Sequence, residues 1–142
     1  MIKATKKWIS ENILYIAWII ALTATVGSLI FSEVLKYPPC TLCWWQRIFM
    51  YPLVVILFIG ILKKDKILHL HALPLLTLGT IFAIYHNLLQ YGFIPESLAP
   101  CSFGVSCITN YFTFGFISIP LLSLLSFIAI GICILIYKKS SK

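Results

Sequence analysis

Between Glu11 and Glu33 the chain reads NILYIAWIIALTATVGSLIFS (residues 12–32), without one charged side chain, and its centre, Ile13 to Phe31, is almost wholly apolar. A helix needs about 20 such residues to cross a hydrocarbon core of about 30 Å. The run therefore predicts a membrane-spanning helix. It is too long for the core of a signal peptide, and no clear small-x-small cleavage pattern follows it.

The whole sequence has the same character. Of 142 residues 61% are hydrophobic and only 11% charged, with a mean hydropathy of +0.99. Soluble domains carry about 25% charged residues, so water could not solvate a surface this poor in charge. Aromatic residues make up 15% of the chain, the reverse of a disordered composition. The length suits one domain, residues 1–142.

Three further runs repeat the signal. Leu70 to Leu89 lies inside a charge-free stretch from Lys66 to Glu96, with Pro74 near its start. A membrane helix tolerates such a proline because neighbours can satisfy the freed carbonyl. Phe116 to Tyr137 runs uncharged into the final lysines. The remaining run, Ile48 to Leu62, is short, and extending it back to Leu42 takes in Cys43, Trp44, Trp45 and Arg47. The tryptophans suit a membrane interface. Arg47 would sit about one turn inside the apolar zone, either snorkelling to the headgroups or serving a site. The expected fold is an all-α integral membrane protein, a four-transmembrane-helix bundle with spans at about 13–31, 42–62, 70–89 and 116–137.

The net charge of +7 is gathered in clusters at the ends of these runs: Lys3, Lys6 and Lys7; Lys63, Lys64 and Lys66; Lys138, Lys139 and Lys142. Membrane-flanking cytoplasmic charge is distributed in this way, whereas a nucleic-acid surface would present basic residues on one polar face. No nucleic-acid partner is expected. Both termini and the second loop then lie in the cytoplasm, and two extracytoplasmic loops remain, at about 32–41 and 91–115.

Four of the five cysteines fall in or beside those outer loops: Cys40 and Cys43 in the first, Cys101 and Cys107 in the second. Placement on the oxidising side argues for disulfide chemistry. Cys133, inside the last run, reads as a small apolar core residue. The first pair forms a C-x-x-C at the start of a helix, a spacing that closes a small redox-active ring, and the positive helix end favours thiolate. With the helix starting near Cys40, residues Cys40, Cys43 and Arg47 fall at i, i+3 and i+7, along one stripe. Arg47 would then stabilise a Cys43 thiolate. Zinc sites share the C-x-x-C spacing, but haem attachment is excluded because Trp44, not His, follows Cys43. The second pair, with five residues between its members, could by itself be a loop staple. His86 and Gln90, one turn apart near the outer end of the third run, lie at a depth similar to Cys43 and Arg47.

The segment Pro39-Cys40-Thr41-Leu42-Cys43-Trp44-Trp45-Gln46-Arg47 resembles the DsbB/BdbC family of membrane thiol oxidases, closest to its short BdbC-type members. His86-Asn87-Leu88-Leu89-Gln90, the pair Cys101 and Cys107, and Gly115 to Pro120 extend the likeness over nearly the whole chain. The resemblance implies a quinone-linked thiol:disulfide oxidoreductase that reoxidises an extracytoplasmic thioredoxin-like thiol-disulfide oxidase. It further implies that electrons pass from Cys101/Cys107 to Cys40/Cys43, through attack of Cys107 on Cys40, and then to a quinone, menaquinone in short members, held by Arg47, His86 and Gln90. The longer family members separate the outer cysteines much more widely, so the reach of Cys107 to Cys40 is where this sequence departs from them. Two other readings of the cysteines are a four-cysteine metal-binding membrane protein and a vitamin K epoxide reductase-like quinone reductase. The latter carries its C-x-x-C late in the bundle, whereas this one precedes the second span.

Overall fold

Each apolar run becomes one long helix, because in lipid a backbone must satisfy its own hydrogen bonds. The computed structural model describes residues 1–101, 104–108 and 113–142. Helix α1 covers Ile2–Leu29 and passes into a single π turn, Ile30–Val34; α2 is Thr41–Lys63, α3 Leu68–Gln90 and α4 Ile119–Ser141. All four are long and apolar enough to cross a membrane. The chain is a multi-pass membrane protein of helical-bundle architecture.

Two boundaries differ from expectation. The first helix begins eleven residues before Ile13, at Ile2, so its early turns carry the amino-terminal lysines beyond the apolar run. The last helix begins at Ile119 rather than Phe116. Residues 116–118 belong instead to a small antiparallel hairpin in which β1 (Thr113–Phe114) pairs with β2 (Ile117–Ser118). Gly115 takes φ +64° at the first turn position, a conformation that two-residue hairpin turns require and glycine supplies without strain. Pro120 then sits in the first turn of α4, where its missing N–H costs nothing. The expected outer loop 91–115 includes residues 102, 103 and 109–112, which lie outside the described residues.

The helices pack in a ring, α1 against α2 and α4, and α3 against α2 and α4. Small residues permit the close approach that membrane helices favour. Ala17 and Ala21 of α1, and Ala72, Gly79 and Ala83 of α3, are fully or largely enclosed, against Leu53, Leu57, Phe127, Ile130 and Ile134. Large apolar side chains such as Ile16, Val55, Phe58, Ile81, Leu125 and Leu135 point outward. A surface of that kind is stable only where lipid replaces water.

The ring has two unlike ends. At one end the lysine clusters gather: the Ser140 hydroxyl donates to the Lys6 carbonyl at 2.7 Å, and the Tyr137 hydroxyl to the Asp65 carbonyl at 2.8 Å. The opposite end holds Cys40, Cys43, His86, Cys101 and Cys107. The bundle thus sets the lysine clusters and the two cysteine pairs at opposite ends.

Candidate functional site

Helix α2 begins where the C-x-x-C begins. Cys40 is its N-cap, with extended backbone, and its sulfur accepts the Cys43 backbone N–H at 3.4 Å. An N-cap acceptor meets the positive end of the helix. The helix end therefore acts first on Cys40. The two sulfurs are 3.0 Å apart. Cys40 precedes the span, and its thiol is held far below the usual 9.0, at about 4. The hydrogen bond from the Cys43 thiol is the chief cause; burial opposes it, and His86 and the Cys43 amide reinforce it.

The outer pair closes over this helix end. Cys101 and Cys107 are joined by a disulfide, and the sulfurs of Cys40, Cys101 and Cys107 all lie within 4.8 Å of one another. Cys40 is 5% and Cys107 3% exposed. Five intervening residues are thus enough for Cys107 to reach Cys40. The disulfide also takes up two of the four outer sulfurs, which counts against a four-thiolate metal centre. Cys40, Cys43 and His86 keep their ligand atoms within 4.8 Å, a three-ligand set open to a thiophilic cation only while the two thiols are unbonded.

His86, from α3, joins the two pairs. Its Nε2 is 3.1 Å from the Cys107 carbonyl oxygen and 3.8 Å from the Cys40 sulfur. A carbonyl can only accept, so Nε2 carries the proton. On the other side the Gln46 amide nitrogen lies 2.8 Å from Nδ1 and donates to it. That bond between two buried side chains fixes the tautomer. Gln46 was quoted in the sequence only as part of a motif. Nothing in its spacing announces that it faces His86, forty residues away.

Arg47 is buried at 9% exposure, so it does not snorkel. Its Nε donates to the Ser28 hydroxyl and its Nη2 to the Ser28 carbonyl, both at 2.8 Å, and its guanidinium lies 5.3 Å from the centre of the Trp44 ring. Ser28 stands in the last turn of α1, just before the π turn, a local loosening often found at functional sites. Ser28 is the second residue that the sequence alone did not single out. Gln90 lies nearer the outer loop, its side-chain amide donating to the Ile108 carbonyl at 3.5 Å. Cys133 lies in the core of α4, away from the other four.

Below the sulfurs a cavity of about 460 Å³ opens between α1, α2 and α4. Ile19, Ile20, Ala24, Phe31, Met50 and Leu122 give it apolar walls, and Cys40, Cys43, Gln46, Arg47, His86 and Gln90 face it from one end. Tyr51 and Ser118 also line it with other atoms, their hydroxyls being closed off from it and without a hydrogen-bond partner among the described residues. Apolar walls with guanidinium and amide donors at one end suit a flat ligand carrying carbonyl oxygens. Of the expected site residues, the inner cysteines, Arg47, His86, Gln90 and Cys107 all line this one cavity, and Cys101 is bonded to Cys107.

A family model described as "Disulfide bond formation protein DsbB" matches residues 10–137. The chain is 46% identical over 137 residues to a probable disulfide formation protein C 2 of Bacillus cereus, covering 96% of both chains. It is also 46% identical over 132 residues to disulfide bond formation protein C of Bacillus subtilis, covering 89% of this chain and 94% of the relative. A probable disulfide formation protein of Metapseudomonas resinovorans is 41% identical over 130 residues, 90% of each chain. No solved structure matches.

Proposed function

The chain belongs to the DsbB family of disulfide bond formation proteins and is a membrane disulfide oxidoreductase, and on that premise we propose that it passes electrons from an extracytoplasmic thioredoxin-like thiol oxidase to a membrane quinone. The observation that carries this reading is the meeting of the Cys40 sulfur with the Cys101–Cys107 disulfide at the mouth of an apolar cavity. A protein substrate stays in water and a quinone in lipid. Two cysteine pairs in contact at the boundary let one chain serve both.

The partner's thiolate attacks the Cys101 sulfur, forming a mixed disulfide and releasing Cys107 as thiolate. The partner's second thiol then breaks the mixed disulfide; the partner leaves oxidised, and Cys101 is left as a thiol. Cys107 attacks Cys40 in the Cys40–Cys43 disulfide and Cys43 leaves. Cys101 next attacks Cys107, remaking the outer disulfide and releasing Cys40. Good leaving groups are low-pKa thiols, and the helix end, the Cys43 thiol and His86 make Cys40 one. The His86 Nε2–H, poised between the Cys107 carbonyl and Cys40, steadies the charge as it arrives.

A bound quinone, menaquinone in our reading, would supply the two-electron, two-proton acceptor that lets the inner disulfide re-form. Arg47, His86 and Gln90 would hold it. We read residues 1–142 as one membrane unit with both termini in the cytoplasm and the sulfur-bearing end outside, the lysine clusters supporting that orientation. The test is reconstitution with a reduced thioredoxin-like protein and menaquinone, following quinol absorbance; no quinol above the protein-free rate would overturn the proposal.

Two variants separate the roles. Arg47→Ala leaves the cysteines in place but removes a buried charge from the cavity. Its apparent quinone KM should rise about tenfold, the effect of losing about 1.4 kcal/mol, with both disulfides still forming. An unchanged KM would count against that assignment. Gln46→Leu frees the His86 ring without touching a sulfur. It should lower kcat about tenfold, for one buried hydrogen bond of about 1.4 kcal/mol, with a rise in quinone KM smaller than that of Arg47→Ala, since Gln46 and His86 both border the cavity. A shift in KM with kcat preserved would place Gln46 at the quinone instead.

A further inference from the structure

The end of the bundle remote from the sulfurs holds a second basin, of about 450 Å³, between α1, the α2–α3 turn and α4. Lys3, Lys6 and Lys7 line it from α1 and Lys64 and Lys66 from the turn, facing a single carboxylate, Glu11. Glu11 is paired with Lys64 at 3.8 Å. The nearby Asp65 turns its carboxylate elsewhere, accepting from the Ile67 backbone N–H at 2.9 Å and approaching His71 at 3.9 Å. Five lysines therefore border one basin with a single carboxylate among them.

The basin's other surfaces fit a headgroup that carries chains. Ser10 and Ser141 add side-chain hydroxyls, while Leu14, Gly60 and Ile61 form an apolar floor. Trp8 and Tyr15 on α1 are 67% and 51% exposed, and exposed Trp and Tyr mark the depth of the polar headgroups. Basic pockets between spanning helices at that depth suit anionic lipid headgroups. We propose that this basin binds the phosphodiester headgroup of an anionic phospholipid, its acyl chains descending along the outward apolar faces of the bundle. The proposal is independent of the thiol chemistry at the other end.

Native mass spectrometry of the full chain, taken from phosphatidylcholine vesicles doped with phosphatidylglycerol, tests it. The wild type should retain phosphatidylglycerol in preference to phosphatidylcholine. Lys6→Gln and Lys64→Gln, one from each wall, should each weaken retention about fivefold. Lys6→Arg and Lys64→Arg should keep it, and Lys36→Gln, at the opposite end, should not alter it. Equal retention of the two lipids, or equal loss in Lys36→Gln, would overturn the proposal. Inorganic phosphate in excess should not displace the lipid; displacement would show a site for a free anion and overturn the lipid assignment.

Discussion

Cys43→Ser and Cys40→Ser should each abolish quinone reduction by a reduced thioredoxin-like partner, a fall of at least about 10³-fold, or about 4 kcal/mol in the barrier. A serine hydroxyl can neither form the inner disulfide nor leave as an anion near neutral pH. The pair also has no substitute nearby, since Cys133 is the other free cysteine and lies in the core of α4. The two variants should differ in what accumulates. With Cys43→Ser, Cys40 remains beside the outer pair and can be trapped in a mixed disulfide with Cys107, seen as a linked peptide after acid quench. With Cys40→Ser that link cannot form. Wild-type turnover in either variant would refute the route through the inner pair.

Gly79→Leu should prevent stable packing of α3 against α4, and Gly79→Ala should already lower stability. A Cβ built at Gly79 would lie 2.3 Å from Phe127 Cε1 and 2.5 Å from Cζ. Phe127 is 1% exposed in the middle of the core, and its ring cannot swing aside without displacing Leu or Ile neighbours. Overpacking costs about 1–3 kcal/mol, while alanine regains about 1 kcal/mol of helix propensity over glycine. The net for Gly79→Ala is a modest loss, and for Gly79→Leu a severe one. Thermal unfolding in detergent micelles reads both. Phe127→Leu combined with Gly79→Ala should recover most of the deficit, because the conflict is between those two side chains. An alanine variant at least as stable as wild type would show that the helices can part at little cost.

Four spans were legible because lipid punishes charge and unpaired backbone so heavily that apolar length alone decides helix number. The lysine clusters likewise announced which loops share an end. The helix limits were less legible. A polar amino-terminal turn can be helical outside the membrane, so α1 starts at Ile2; the residues before Pro120 form a hairpin, so α4 starts late. At the site, the spacing i, i+3 and i+7 of Cys40, Cys43 and Arg47 was legible in the sequence, and all three border the same cavity although Cys40 caps the helix from outside it.

What the sequence by itself determined was a helical membrane chain with two cysteine pairs at one end and its lysine clusters at the other, because hydropathy, charge and residue spacing are local properties written along the chain. Only the tertiary structure decided that Cys40 rather than Cys43 caps the helix beside the outer disulfide, that Gln46 holds His86 and that Ser28 holds Arg47. Those partners stand on different helices, tens of residues apart, and the directional hydrogen bonds that join them exist only once packing has set the helices face to face.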